Sequence, residues 1–575
     1  MKILLIYPYF IENRMDADDV RVVPQGLYSV AAVLMENHYD AEILNWHDMG
    51  ESRAGIETIL RDKRPDVIGF SILHGNRWGG IDIARIAKGL DPGVRIVFGG
   101  VGATFLWDHL LRHFPEIDFV VPGEGEYPFL HLVEWFKNQR GQDLENIDGI
   151  AYRDNNRPVQ NAAAPLMQNL NALPIPAKYF TYHHVSSSRG CAWKCRFCGS
   201  PRFWGGRLRL RSPAHFVDEL EILYRRGITF FYFSDDTFTA GKQRVIDICR
   251  MILERNIKIT WNAISRVNMV DEDILYWMRR AGCIQISYGV ESGSEKIRSA
   301  LQKDIQTDHI KEAFSLTTRY GILSRAYFIY GAPGETRETI QETIDLIRDI
   351  KPLSVIFYIL DIFPGTDLYE GLKRTAGITD DIWLNRIEGI MYFETDHRYS
   401  DALILEYGKK LREAFYGQVH HFAEEIPLID RKDLYNSHAD FLSRLGMTFS
   451  HGEYSKNEWI QEKAETAEKL YTRSLHYGPD HRAYLGLGAV KQKKGLYRDS
   501  IRILEEGIGY FPDSPELNLC ISINYMNLMD YKKALTYLGH VSHSAQAHYY
   551  RAQCYRALGD RENEERHMQK YRALS

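Results

Sequence analysis

The chain of 575 residues contains no apolar run approaching the roughly 18 residues needed to cross a bilayer. Its opening, MKILLIYPYF, passes into polar sequence without the apolar core and cleavage site of a secretory leader. A cytoplasmic protein with no transmembrane segment is therefore expected. Neither sign of charge is in large excess: the net charge of -5 offers no basic footprint for nucleic acid. Cysteine is scarce, with seven residues, an odd number of which three are clustered. That pattern suits a reducing compartment and metal chemistry rather than a disulfide framework. Hydrophobic residues (45%) and charged residues (26%) occur at globular levels. The length exceeds what one hydrophobic core supports, so about two to four domains are expected.

What the chain does have is Cys191-Ala-Trp-Lys-Cys195-Arg-Phe-Cys198, just behind Ser188-Arg189-Gly190. Thiolates at CxxxCxxC spacing can converge on one soft-metal centre, and three rather than four leave a coordination position open. A [4Fe–4S] cluster held in this way keeps one iron for a non-protein ligand. The spacing also admits a zinc knuckle short of one ligand, or three unconnected buried thiols. Cys249 and Cys283 lie in apolar contexts, VIDICRMIL and AGCIQISYGV, and read as core rather than as a fourth ligand.

Residues 1–140 alternate short apolar runs with amphipathic stretches. The runs are 3–7, 41–46, 67–72, 95–98 and 118–121; the stretches lie near 26–37, 54–63, 80–90, 105–114 and 126–138. Five β–α units predict a parallel sheet covered by helices on both faces. Ligands of such sheets bind at the carboxyl ends of the strands. Here those ends carry Pro8-Tyr9, Ser71-Ile72-Leu73, Gly99-Gly100 and Gly123-Glu124-Gly125-Glu126. Prolines at 158, 165, 174 and 176 predict an extended, non-helical linker over 141–180. Six further β–α units are expected from just before the cysteine loop to about 363. Their strand ends are polar: Ser234-Asp235-Asp236, Ser265-Arg266, Tyr288-Gly289-Val290-Glu291-Ser292 and Gly331-Ala332-Pro333-Gly334-Glu335.

The aromatic Phe197 before the last cysteine, these strand ends and the preceding β–α layer together resemble the radical S-adenosylmethionine (SAM) enzymes that carry a cobalamin-binding domain. The resemblance covers residues 1 to about 420. It implies an α/β fold with a flavodoxin-like doubly wound sheet (1–140), the linker and a partial (β/α)6 radical SAM barrel (181–380). It also implies a [4Fe–4S] cluster on Cys191, Cys195 and Cys198, with SAM on the open iron. In that family the segment after the second barrel strand approaches the methionine amino group, which points to Asp235 and Asp236. A serine–arginine pair, here Ser265 and Arg266, faces the carboxylate, and the fourth strand, with Glu291 and Ser292, helps to hold the ribose. Guanidinium and carboxylate suit these charges on general grounds. Ser71, Leu73, Gly99 and Gly100 match the residues around the nucleotide tail of cobalamin. Asn45-Trp46-His47-Asp48-Met49-Gly50 imitates the family's cobalt-ligating histidine loop, but it follows the second strand instead of the first. His47 is therefore read as a loop residue, which implies cobalamin without a histidine ligand or a domain that has lost it. Trp204, Phe238, Tyr288 and Tyr358 read either as pocket or as core. Arg209 and Arg211, behind Phe203-Trp204, read either as a bridge between the cluster loop and the cobalamin face or as a solvated turn.

A helical extension is expected over 381–450 and all-α tetratricopeptide-like repeats over 451–575. Tyr484, Gly488, Tyr497 and Ser500 recur as Asn518, Ser522, Tyr531 and Ala534, each 34 positions on. The activity implied is that of a cobalamin-dependent radical SAM methyltransferase acting on an unactivated carbon of a small-molecule, lipid or peptide substrate. The rivals are a cyclase, C–C coupling or rearrangement enzyme of the same architecture, and a scaffold dominated by its repeats. A flavodoxin- or ferredoxin-type electron donor and a protein partner on the repeats complete the expected partners.

Overall fold

The computed structural model describes residues 1–11, 25–47, 52–138, 143–541 and 544–574. Asp48, Met49 and Gly50 of the histidine-loop imitation fall outside them. The chain divides into two compact units. One comprises residues 1–313, 326–346 and 355–411, the other 314–325, 347–354 and 412–575.

The first unit opens with β1 (Ile3–Tyr7), α1 (Gln25–Glu36), β2 (Ala41–Asn45), α2 (Arg53–Lys63), β3 (Val67–Ser71) and α3 (Arg77–Leu90). There follow β4 (Arg95–Gly99), α4 (Val101–Phe105), α5 (Trp107–His113), β5 (Phe119–Val121) and α6 (Glu126–Asn138). The strands run parallel in the order β2-β1-β3-β4-β5. Successive strand residues point to opposite faces. Ile3, Leu5 and Tyr7 therefore pack with Leu27, Phe129 and Val133 of α1 and α6, whereas Leu4 and Ile6 pack with Ile56, Ile81 and Leu110 of α2, α3 and α5. Burial on both faces explains why these strands read as continuous apolar runs.

The segment 141–180 is not simply a linker. Residues 151–154 (β6) and 157–160 (β7) form a hairpin that extends the sheet antiparallel beyond β5. Its turn is Asn155-Asn156, both in the left-handed region (φ 47° and 64°), as a two-residue primed turn requires.

A second, six-stranded sheet has the order β15-β14-β13-β12-β11-β8. Its strands are β8 (His184–Val185), β11 (Phe230–Phe233), β12 (Thr260–Ser265), β13 (Cys283–Glu291), β14 (Leu323–Tyr330) and β15 (Ser354–Ile359). The short strands β9 (Ser188–Arg189) and β10 (Arg209–Leu210) pair antiparallel at the base of the cysteine loop.

In the second unit, helices from Tyr435–Ser450 to Arg561–Leu574 follow one another with short connections. Close approach there depends on small residues. A Cβ on Gly488 would meet the Leu504 side chain at 2.5 Å, and the Gly488 carbonyl accepts a hydrogen bond from Ser500 Oγ at 2.7 Å. Among the described residues no helix is long and apolar enough to cross a membrane.

Candidate active site

The cysteine loop leaves β9 through Gly190, whose φ is +95° and where a Cβ would lie 2.1 Å from the Arg207 carbonyl oxygen. No other residue fits there without moving the backbone at Arg207. Cys191, Cys195 and Cys198 are free and partly buried. Burial raises the pKa of Cys191 and pushes that of Cys198 up to about 12. Such thiols ionise only when a metal takes the proton's place. Among the described residues, one His/Cys/Asp/Glu trio alone brings its ligand atoms within 4.8 Å of one another, and it is not these cysteines. Thiolates on a single tetrahedral zinc, with bonds of about 2.3 Å, sit about 3.8 Å apart. The wider spacing fits a cluster rather than a zinc knuckle.

Arg266, 4% exposed, stands against this loop: its guanidinium lies 4.3 Å from the Trp193 ring centroid and its Nη1 is 4.0 Å from Cys195 Sγ. Nη2 donates to the carbonyls of Lys303 and Asp304 at 2.9 and 3.0 Å, while Nε is buried without a partner. The adjacent acids Asp235 and Asp236 differ sharply. Asp235, 1% exposed, accepts from Ser187 N (3.1 Å), Ser187 Oγ (2.8 Å) and Ser188 Oγ, and so anchors the approach to the cysteine loop. Asp236 opens onto a cavity, accepts from Ser200 Oγ at 2.6 Å, and has its pKa raised by desolvation. The acceptor left open for a ligand is thus Asp236.

Ser265 is bonded to Thr239 Oγ1, and Ser292 lies 3.2 Å from Thr343 Oγ1. Glu291 has a left-handed backbone (φ 67°), and its carboxylate accepts from Lys303 Nζ at 2.6 Å, both side chains being under 10% exposed. These three residues are brought to one end of the second sheet, with their polar atoms engaged inside the protein. At the end of β14, Gly331 N donates to Glu335 Oε2 at 2.5 Å, and burial raises the Glu335 pKa to about 7.

Ser71, Leu73, Gly99 and Gly100 all line one largely apolar cavity of about 400 Å³. It starts against Leu5, Val97 and Phe129 on the α1/α6 face and reaches Gly190, Phe203, Trp204, Ser234 and Asp236 beside the cysteine loop. Gly100 has φ +89°, and a Cβ there would lie 2.8 Å from Ile72 O. Gly99 would bring a Cβ no closer than 3.6 Å to any protein atom, so its missing side chain leaves room in the cavity. An apolar slot floored by glycine backbone fits an elongated nucleotide tail. His47 stacks on Tyr7 (centroids 6.5 Å apart) and meets Phe10 edge-on. Of the four aromatics, Trp204 lines the cavity, Phe238 and Tyr288 are core, and Tyr358 is exposed.

Sequence reasoning missed a buried ion network on the cavity wall. Arg189 Nη1 donates to Glu124 (2.6 Å) and Nη2 to Glu126 (2.5 Å); Arg209 Nη1 also donates to Glu124 (2.7 Å). Desolvation works to raise the Glu126 pKa, but Arg189 holds it below the ordinary carboxylate value. Trp204 faces both guanidiniums, at 5.8 and 5.2 Å. Arg209 is therefore a bridge and not a solvated turn, whereas Arg211 pairs with Glu219. The signal available was the pair of acids in Gly123-Glu124-Gly125-Glu126 and an arginine two residues before the first cysteine.

Residues 185–347 match the Radical SAM superfamily, and residues 19–133 match the B12 binding domain. An uncharacterized methyltransferase of Pyrococcus horikoshii is 33% identical over 382 residues, covering 64% of this chain and 83% of the relative. The anaerobic magnesium-protoporphyrin IX monomethyl ester cyclase of Cereibacter sphaeroides is 28% identical over 350 residues, 58% of this chain and 57% of the cyclase. The structure of the radical SAM methyltransferase TsrM from Kitasatospora setae, with cobalamin and a [4Fe–4S] cluster bound, superposes with a TM-score of 0.60 at 18% identity, over 82% of this chain and 99% of that one. The two domain matches imply a [4Fe–4S] cluster, SAM and cobalamin as cofactors, and the donor sets described above fit them. The chain belongs to the radical SAM superfamily, in the group of enzymes whose cluster domain follows a B12 binding domain.

Proposed function

We propose that this enzyme transfers a methyl group from SAM, by way of cobalamin, to an unactivated carbon of a small-molecule substrate. The observation that carries this reading is the single cavity joining the Ser71/Leu73/Gly99/Gly100 wall to Gly190 and Asp236 beside the cysteine loop. When bound, the cluster supplies the electron that cleaves SAM, and cobalamin supplies the methyl group. Cys191, Cys195 and Cys198 hold the cluster, and Asp235 fixes the chain entering their loop. Asp236 receives the SAM ammonium; Arg266, with Ser265, faces the methionine carboxylate; Glu291 and Ser292 border the ribose. Leu5, Val97 and Phe129 exclude water from the tail of cobalamin. In the same reading the six-stranded sheet is a partial (β/α)6 barrel over 181–380, the C-terminal helices are tetratricopeptide-like repeats able to hold a protein partner, and a flavodoxin or ferredoxin of the cytoplasm donates electrons.

The likeness to the magnesium-protoporphyrin ester cyclase favours a second reading, ring closure without methyl donation. One experiment separates the two. Anaerobically purified protein, with iron, sulfide and cobalt counted, is reduced with dithionite in the presence of SAM. Methyl transfer requires both 5′-deoxyadenosine and S-adenosylhomocysteine as products. A cobalamin-replete protein that makes only 5′-deoxyadenosine would sink the methyltransferase reading.

A further inference from the structure

We propose that His109, His113 and Asp381 form a binding site for a divalent transition metal such as zinc, separate from the cofactor cavity. His109 and His113 are four residues apart on α5 and share one face of it, with ring centroids 4.9 Å apart. Asp381 Oδ1 lies 3.1 Å from His113 Nε2 and 3.9 Å from His109 Nδ1. The three ligand atoms all lie within 4.8 Å of one another, the only such trio among the described residues. Two metal–ligand bonds of about 2.1 Å at a tetrahedral angle hold their ligand atoms about 3.4 Å apart, between the two distances observed. The 3.9 Å separation is too long for a hydrogen bond, so Asp381 alone does not satisfy His109.

The surroundings suit this assignment. His109 is 3% exposed, and Nδ1 is the ring nitrogen it turns toward Asp381. Asp381 is held on a fixed segment. Its backbone N–H donates to Thr379 Oγ1 at 3.3 Å. Its neighbour Asp380 accepts from Tyr369 OH at 2.8 Å, and that hydroxyl in turn accepts from Trp383 Nε1 at 2.8 Å. Asp381 is also the exposed member, which gives the ion a way in and leaves a side open for water. Two imidazoles and one carboxylate make a borderline donor set, suited to zinc rather than to magnesium or calcium. The metal would tie α5, beside the first sheet, to a segment 272 positions further along the chain (109 to 381), and so act as a staple.

The test uses full-length protein carrying its cluster and cobalamin, dialysed anaerobically against buffered free zinc, with zinc and iron counted together by mass spectrometry. Wild type should retain one zinc per chain, at constant iron, that is missing from Asp381→Asn and His113→Ala. It should be kept by His397→Ala, which removes an exposed histidine outside the trio. Zinc should raise the melting temperature of wild type and leave that of Asp381→Asn unchanged. Asp381→Asn alters an exposed side chain, so an unchanged iron content certifies its fold. Equal zinc in wild type and both variants, or none retained at micromolar free zinc, would reduce the trio to a plain His113–Asp381 ion-pair contact and overturn the proposal.

Discussion

Replacing Arg189 with methionine removes the cation shared by Glu124 and Glu126, whose side chains are 8% and 7% exposed. At 2.6 Å and an effective dielectric of about 20, each contact is worth roughly 6 kcal/mol before desolvation. Dehydrating three charges takes back most of that, and breaking such a buried pair costs a net ~3–5 kcal/mol. Glu124 keeps Arg209, so the greater part of the loss falls on Glu126. In a unit of about 390 residues, roughly 1–2 °C of melting temperature corresponds to 1 kcal/mol, so Arg189→Met should melt ~4–8 °C lower. Arg189 also precedes Gly190 and Cys191, and iron content should fall with it. Glu126→Gln alone should be milder. The double variant Arg189→Met/Glu126→Gln should melt above the sum of the two single losses, because the stranded carboxylate is gone. The assay is anaerobic calorimetry of cluster-replete protein, with iron counted before each scan. If Arg189→Met melts within 1 °C of wild type with full iron, or the two losses simply add, the network does not tie the cysteine loop to the cavity wall.

Replacing Cys191, Cys195 and Cys198 with alanine should abolish iron binding and 5′-deoxyadenosine formation under dithionite, while Cys249→Ser keeps both; product from the triple variant would disprove the cluster assignment. Gly100→Val adds a branched side chain where φ is +89° and Ile72 O lies 2.8 Å from the first added carbon. The conformation alone costs ~1–2 kcal/mol, and cobalt retention should fall to background in protein that still holds iron. Glu335 has its pKa raised by burial to about 7 from an ordinary 4.5, so the native state binds the proton more tightly than the unfolded chain. Its contribution to stability is complete below about pH 4.5 and is lost as pH rises through 7, a change of ~3 kcal/mol. Glu335→Gln should flatten the fall in melting temperature between pH 5 and 8, and parallel curves for the two proteins would refute the shift.

The five strands of the first sheet were legible to within about a residue because parallel strands buried on both faces leave uninterrupted apolar runs. The hairpin at 151–160 was not. Its strands, Ala-Tyr-Arg-Asp and Arg-Pro-Val-Gln, carry few apolar residues, and its turn is Asn-Asn without the usual glycine. The cysteine loop was visible because its pattern is local, with all three cysteines inside eight residues. The Arg189 network was hidden because its partners lie 65 and 63 positions away, a pairing that only the packed sheets decide. Asp235 and Asp236 look alike in sequence. Neighbouring residues leaving a strand turn to opposite sides, so one is enclosed by Ser187 and Ser188 while the other meets the cavity.

The hairpin beyond β5 carries a consequence for solubility. A parallel sheet ending at the three-residue β5 would offer its unpaired edge to any extended chain. The antiparallel strands move that edge outward to β7, where Asp154 pairs with Arg157 around the two-residue turn. The pair that follows, Arg153 and Pro158, is of the non-hydrogen-bonded kind, so the nitrogen of residue 158 points away from β6, to the outer side of the edge strand. Proline has no hydrogen to offer there, and an incoming strand finds a missing donor in the middle of the edge. Pro158 thus works as a gatekeeper against edge-to-edge association between molecules at the free edge of this sheet.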